Sequence, residues 1–366
     1  MSPELLHLLR QQIRTSGPMR FDTFMDTVLY SDPHGYYRHN VPGADSDYRT
    51  APSLTPWFGK LAARDLKATW KALGSAEEFT VAEVGAGNAD LAASAVSAAT
   101  GPFAAALRWT FVEPIEFVAS LQKGRLGSRD RFSWVERLED LAPLTGVILA
   151  NEVLDNFGFR IFQIGEFGPM EVRVGATRTA LQEVLTPLDA DGEAMVGPAL
   201  KHLEEGDRVE VRTGVESWVA QASQALHRGA LLVVDYGDVE PEIWTKRPSG
   251  SMVTYRQGRL GLDPFGDLGS TDITAHVNFS ELARAAERAG MLVCPLRTQR
   301  EWLESLRLGK VIEEFRHSEA IARFEGRHGD WVGLVAERSR VETLAGRGGL
   351  GDYLVFTARA KAPSTP

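Results

Sequence analysis

Two stretches of the chain are apolar without interruption: Gly146–Ala150 (GVILA) and Gly229–Val234 (GALLVV). A strand with water on one face alternates apolar and polar residues. A strand that stays apolar at successive positions is covered on both faces, which calls for a parallel sheet between layers of helices. The neighbouring pattern agrees. Phe79–Val84, Arg108–Val112 and Phe132–Val135 read as strands, with helices predicted at about 89–99 and 115–124. A further helix at about 279–289 precedes a strand at Met291–Leu296. Tyr353–Ala360 alternates and is expected to be a last, edge strand. Strands alternating with helices mean an α/β fold with right-handed crossovers.

Two stretches are too long for simple crossovers. Residues 157–212 read as paired strands, FRIFQI and MEVRVG, with polar connections. Residues 238–278 are rich in proline and glycine. Insertions of this length are usually functional, and both are expected to form a substrate lobe over the strand ends. Residues 3–30 carry helical periodicity punctuated by Gly17-Pro18, while 31–56 look irregular. The division expected is a covering segment over residues 1–75 and an α/β domain over 76–366. The tail KAPSTP is read as disordered.

Composition narrows the function classes. A net charge of −9 argues against a broad nucleic-acid footprint. No apolar run is long enough to span a membrane. The single cysteine, Cys294, excludes an internal disulfide and a cysteine-based zinc site, and no HExxH, GxSxG or Walker A sequence occurs. No metal is expected. The N-terminus has neither a secretory h-region nor Arg-rich transit character, so a cytoplasmic location is expected.

Chemistry concentrates at the ends of the predicted strands. Glu83-Val84-Gly85-Ala86-Gly87-Asn88-Ala89-Asp90 follows the first strand and opens a helix. Its sixth position is Asp90, so it is not the dinucleotide fingerprint, and the acids beside it disfavour a phosphate. A neutral or cationic ligand fits such a turn, S-adenosylmethionine (SAM) among them; a plain strand-to-helix turn is the other reading. Glu113 ends the second strand, where a carboxylate can accept both hydroxyls of a ribose or simply be solvated. GVILA runs into Asn151, Glu152 and Asp155. These acids can hold a guanidinium by paired hydrogen bonds or act as a general base. Asn151 or Asp155 could instead cap a short helix. His276 is a candidate base or a loop-packing histidine. Asp235-Tyr236 could face the substrate or form a structural pair, and His34-Gly35-Tyr36-Tyr37 reads as a structural turn.

The ordered series of these motifs resembles the MidA/NDUFAF7 (DUF185) family of SAM-dependent methyltransferases. The residues that carry the resemblance are FDTFMDTVLYSDPHGYY, the stretch Tyr48-Arg49-Thr50-Ala51-Pro52-Ser53 through Gly59, EVGAGNADL, VEPIEFVASLQKGRL, ANEVLDNFGFRIFQ, VVDYGD and DITAHVNFSELARAAERAG. The resemblance implies a class I methyltransferase Rossmann-like fold: a seven-stranded, mostly parallel sheet with an additional lobe formed by the N-terminal segment and the long insertions. It implies SAM as methyl donor. Glu83, Gly85, Gly87, Asn88, Glu113, Asn151, Thr50, Ser53 and Leu138 would bind it, and Glu152, Asp155 and His276 would serve the acceptor. For the characterised mitochondrial member it implies methylation of an arginine on a respiratory complex I subunit. Three positions depart from the family pattern: Ala89 for a glycine, tolerable if φ is negative there, Ser53 for an acid and Asn278 for an aspartate. The last two put the acceptor in doubt more than SAM binding. Protein arginine methylation, small-molecule methylation and a catalytically silent assembly factor all stay open, and so does a homodimer.

Overall fold

The computed structural model describes residues 2–41, 50–127 and 130–360. The KAPSTP tail and Tyr48-Arg49 lie outside the described residues. Strands β1 (Phe79–Val84), β2 (Leu107–Val112), β3 (Phe132–Val135) and β4 (Leu144–Asn151) lie parallel in the order β3-β2-β1-β4. β5 (Phe159–Gly165), β6 (Gly168–Ala176), β7 (Leu181–Thr186) and β8 (Arg208–Arg212) leave to form a separate antiparallel sheet in the order β7-β6-β5-β8. β9 (Leu226–Asp235) returns to pair parallel with β4. The strand Leu354–Arg359 then adds antiparallel to β9. This arrangement is the mainly parallel α/β sheet expected.

The two apolar runs are β4 and β9, and their residues divide between two cores. Val147, Leu149, Leu232 and Val234 face the helices Trp57–Ala72 and Asp90–Ala98. Ile148, Ala150, Leu231 and Val233 face the helices Val215–Ala225 and Phe279–Arg288. Period-two alternation between two buried faces is why the run shows no polar residue. The glycine that opens each run has its own cause. A Cβ on Gly146 would lie 1.8 Å from Thr80 O, and one on Gly229 would lie 1.8 Å from Gly146 O. β1, β4 and β9 therefore approach closely at one level because two glycines stand side by side.

Two predicted features change. Tyr353–Ala360 does not form the sheet edge. The short strands Leu292–Val293 and Arg297–Thr298 both pair with Leu354–Arg359 and cover its outer side. Residues Cys294–Leu296 part them, so of the strand expected at 291–296 only Leu292–Val293 forms, and the second fragment begins beyond it. The insertion at 157–212 holds four strands, not two.

The N-terminal stretch divides between the layers. Helices α1 (Pro3–Ser16) and α2 (Phe21–Tyr30) share a hydrophobic core with β5, β6, Leu268 and Ile273, and so close the lobe built by the insertions. Helix Trp57–Ala72 packs on the main sheet. Residues 308–343, to which the sequence pattern assigned nothing, form two packed helices, Leu308–Phe324 and His328–Thr343.

Between the layers of the lobe lies a buried ion cluster. The Arg160 and Glu171 side chains are fully buried and meet at 2.7 Å, and Arg160 also reaches Asp189 at 2.8 Å. Arg173 shares Glu171 at 2.7 Å. Removing one partner of such a pair leaves a charge in low dielectric. Glu171→Ala should lower the unfolding free energy in urea by roughly 3 kcal/mol. The double change Arg160→Met with Glu171→Leu should recover most of that loss, because it removes both charges.

Candidate active site

A cavity of 360 Å³ opens where β1, β2 and β4 end. Its wall is mostly apolar, with Val84, Val112, Ile115, Leu138, Phe157 and Trp218 among its residues, and Glu113 and Glu152 also line it. A narrower space of 40 Å³ continues from it, lined by Thr50, Pro52, Glu83, Asn88, Asp90 and Asn151. Gly85, Gly87 and Glu152 line both.

The glycine turn is left-handed at three positions: Gly85 (φ 62), Gly87 (φ 50) and Ala89 (φ 59). The condition set for Ala89, a negative φ, is not met. An alanine there costs about 1–2 kcal/mol in backbone strain, and burial of its methyl group offsets about 0.8 kcal/mol of it. A Cβ on Gly85 would stand 3.0 Å from Val153 Cγ2, so glycine also brings the turn against the next strand's loop. Gln122 fixes the turn from beneath. Its Nε2 donates to Gly87 O at 2.9 Å and to Glu113 Oε2 at 3.4 Å, while Trp134 Nε1 donates to its Oε1 at 3.0 Å.

Two buried glutamates and a half-buried one surround the space. Trp109 Nε1 donates to Glu83 at 2.8 Å, but burial dominates and pushes its carboxyl up to about 8. Glu113 accepts from Ile115 N at 3.1 Å and burial pushes it up to about 7. Glu152 is pushed up to about 8, first by burial and then by the charge of Asp155. Its backbone is left-handed (φ 52), and Ala51 N and Asn151 Nδ2 both donate to its Oε1, at 3.3 and 3.1 Å. A non-glycine residue held at positive φ stores strain that its surroundings must maintain.

Those surroundings are a pair of opposed clamps on the turn after β4. From β9, one oxygen of Asp235 accepts from Val153 N, Leu154 N and Asp155 N at 3.2, 3.0 and 3.3 Å. From β8, Arg212 donates to Leu154 O at 2.6 Å, Asp155 O at 3.1 Å, and also Ala275 O and His276 O. The turn's N–H groups end on a carboxylate and its carbonyls on a guanidinium. Asp235 is thus the structural member of Asp235-Tyr236, and neither Asn151 nor Asp155 caps the turn.

The sequence candidates separate on this geometry. Glu83, Gly85, Gly87, Asn88, Glu113, Asn151, Thr50 and Leu138 line one or both spaces, as does Glu152. Ser53 lines neither and bonds Thr50 O at 2.9 Å. Asp155 also lines neither: it is 2% exposed, and its Oδ2 accepts from Tyr236 OH at 2.6 Å. His276 lies behind Tyr236, ring to ring at 5.3 Å, and lines neither space. Burial, Arg247 and Arg212 push it down to about 4, so it is neutral at physiological pH. Asn278, the departure read as near the acceptor, caps a helix: its Oδ1 accepts from Ser280 N and Glu281 N at 3.0 and 3.2 Å. The sequence reading missed Gln122 and Arg212, whose partners are far away in sequence. It also missed Tyr37, a cavity residue taken only for a packed aromatic.

Among the described residues, no helix is long and apolar enough to cross a membrane, and no group of three or more His, Cys, Asp or Glu could hold a metal ion. The sheet order and the site at its carboxyl ends are those of the α/β folds that bind nucleosides. Within that class, the model of the S-adenosyl-L-methionine-dependent methyltransferase family matches residues 61–295, more than half of the chain, and the chain belongs to this family. The Drosophila melanogaster protein arginine methyltransferase NDUFAF7 homolog is 27% identical, in a match covering 78% of this chain and 70% of that one. Human protein arginine methyltransferase NDUFAF7 is 27% identical over 78% of this chain and 69% of its own length. Both are named as mitochondrial, where the sequence reading expects a cytoplasmic chain. A superfamily member from Burkholderia thailandensis, solved bound to S-adenosyl-homocysteine, superposes with a TM-score of 0.85 at 26% identity, covering 99% of this chain and 93% of that one. The protein is a SAM-dependent methyltransferase, and SAM is its cofactor.

Replacing Arg212 takes one donor from each of four carbonyls and the cation from beside Asp155 and Asp235. Arg212→Met should lower the unfolding free energy by roughly 3–5 kcal/mol in urea titration followed by circular dichroism.

Proposed function

We propose that this methyltransferase acts on an arginine side chain of a polypeptide. The observation that carries the reading is an unsatisfied acceptor beside the cavity. Glu152 lines the cavity, and close to it Asp155 Oδ1 is buried without a hydrogen-bond partner. Buried acceptors of this kind call for a donor, and a guanidinium brings five N–H groups and a compensating charge. The names of the NDUFAF7 relatives as protein arginine methyltransferases support the same acceptor.

The residues present fit the donor. Glu113 offers its carboxylate to the ribose hydroxyls, Leu138 and the apolar wall take the adenine, and Gly85, Gly87, Asn88 and Glu83 leave a backbone-lined path for the methionine portion. Asn151 Oδ1 awaits an ammonium or sulfonium neighbour, and Thr50 closes the far side. When bound, SAM supplies an electrophilic methyl group on a sulfonium. The chain's own part is to place the acceptor nitrogen and receive the proton it sheds. Glu152, on the wall of both spaces, is the group that takes that proton. Asp155, behind it and held by Tyr236, keeps the Glu152 carboxyl basic and shares the guanidinium's charge.

Two measurements test this. Titration calorimetry with S-adenosyl-homocysteine should show binding that weakens below about pH 7, as Glu113 gains the proton that blocks it from accepting hydroxyl hydrogens. Glu113→Gln should weaken binding and flatten that dependence, and Gly87→Arg should abolish binding; undiminished binding by Gly87→Arg would refute the site. Methylation of arginine peptides should rise with pH and level off above about 8, where Glu152 is ionised. Glu152→Gln should cut kcat by ~10²–10⁴-fold and remove the rise. Methylation unchanged in Glu152→Gln would refute its role as base.

A further inference from the structure

The helix Glu116–Leu126 starts just after Glu113. Two of its residues, Gln122 and Arg125, stand three apart and so share a face. Both donate to carbonyls of the glycine turn. Gln122 Nε2 reaches Gly87 O at 2.9 Å, and Arg125 Nη1 reaches Asn88 O at 2.7 Å. The next residue, Ala89, is left-handed, so these two bonds steady a stretch whose backbone an alanine does not favour. The two donors differ in their surroundings. Arg125 is partly exposed and also pairs with Asp90. Gln122 is fully buried and lines neither space of the site.

The orientation of the Gln122 amide is fixed from both ends. Trp134 Nε1 can only donate, and it meets Gln122 Oε1 at 3.0 Å. The NH2 group therefore faces the site, where one nitrogen serves Gly87 O and, at 3.4 Å, Glu113 Oε2. Glu113 Oε1 accepts from Ile115 N. A carboxylate has about four lone-pair positions. One bond to each oxygen leaves each oxygen able to accept again, which is what two neighbouring ribose hydroxyls need. A methionine would fill the same space without the cost of burying an amide. It could not offer one nitrogen to oxygens on two separate loops.

We propose that Gln122 is a positioning residue of the cofactor site: through one amide it orders the glycine turn and holds Glu113 Oε2 for the ribose. The inference rests on the reading of Glu113 as the acceptor of the ribose hydroxyls. It goes further by building the methionine side and the ribose side of the site on one buried side chain. An N–H aimed at a carboxylate favours its charged form, so Gln122 also opposes the burial that pushes Glu113 up to about 7. Without that amide, Glu113 takes its proton at a higher pH.

The test is calorimetric titration of the full chain with S-adenosyl-homocysteine, across the pH range in which Glu113 titrates. Gln122→Met should weaken binding by about tenfold at neutral pH. It should also move the midpoint of the pH dependence up by about half a unit or more, so that part of the loss is recovered in alkali. Arg125→Met takes a donor from the same turn but none from Glu113. It should weaken binding at every pH and leave the midpoint in place. Trp134→Phe keeps a ring against Phe111 and removes the N–H that orients the amide. It should give a smaller upward shift, and it carries the test if circular dichroism shows Gln122→Met unfolded. An unmoved midpoint in the folded variant overturns the inference. An equal shift in Arg125→Met overturns it as well, because the shift would not come from the bond to Glu113. A pH dependence that survives Glu113→Gln alone would instead overturn the ribose reading and the inference with it.

Discussion

The site depends on how one short turn is held. Residues 152–156 leave β4 with Glu152 at positive φ, a backbone conformation a glutamate does not choose by itself. Asp235 collects three of the turn's N–H groups and Arg212 two of its carbonyls. The two clamps come from different sheets: Asp235 ends β9 of the main sheet, and Arg212 ends β8 of the lobe. Arg212 also holds the carbonyls of Ala275 and His276, so the same guanidinium ties the second insertion to the turn. The lobe is therefore joined to the parallel sheet at the point where Glu152 meets the cavity. Loosening the lobe would release Glu152 from the positive-φ geometry that sets it on the cavity wall.

The same joint explains the division of labour among the acids. Asp235 is spent on backbone, with Tyr236 N as a fourth donor at 2.9 Å. Asp155 spends one oxygen on Tyr236 and keeps the other unpaired. Of these three acids, Glu152 is the one that lines the cavity. A carboxylate with a poised proton needs a neighbour that raises its basicity without competing for the substrate, and a buried Asp155 one layer back is such a neighbour.

The legible parts of the sequence were those whose cause is local. GVILA and GALLVV declared burial on both faces because every position was apolar. Glu83 and Glu113 declared themselves by ending strands, and the paired glycines at 85 and 87 marked a close approach. What failed depended on partners that local pattern does not name. Alternation in 353–360 reported one less buried face and was read as an edge, but two short strands from 292–298 cover that side. Asp155 and His276 were placed at the cavity because they are polar and near the motifs. Their side chains point instead to Tyr236, and nothing in six neighbouring residues could say so. Arg212 lies in a segment read only as a polar connection, yet it bonds carbonyls 57 to 64 residues away. Asn278 looked like an active-site departure because it stands where the resembled family carries an aspartate; its side-chain oxygen caps a helix and its amide nitrogen donates to Glu240.

Electrostatics carry the argument to the acceptor. Burial raises Glu83, Glu113, Glu152 and Asp235 above the ordinary carboxylate range, and Asp155 with them. Arg212 is the cation that bonds into this turn, and its N–H groups are spent on carbonyls. Burial makes these acids reluctant to ionise, and a cation bound among them would favour their charged forms. A neutral nucleophile would leave that reluctance in place and have to compete with protonated carboxyls for orientation. On the proposed reading, a guanidinium would lower the proton affinity of Glu152 as it binds, so that the acceptor itself would make the glutamate available as a base. Preference for arginine would then follow from the cost of buried acids rather than from shape alone.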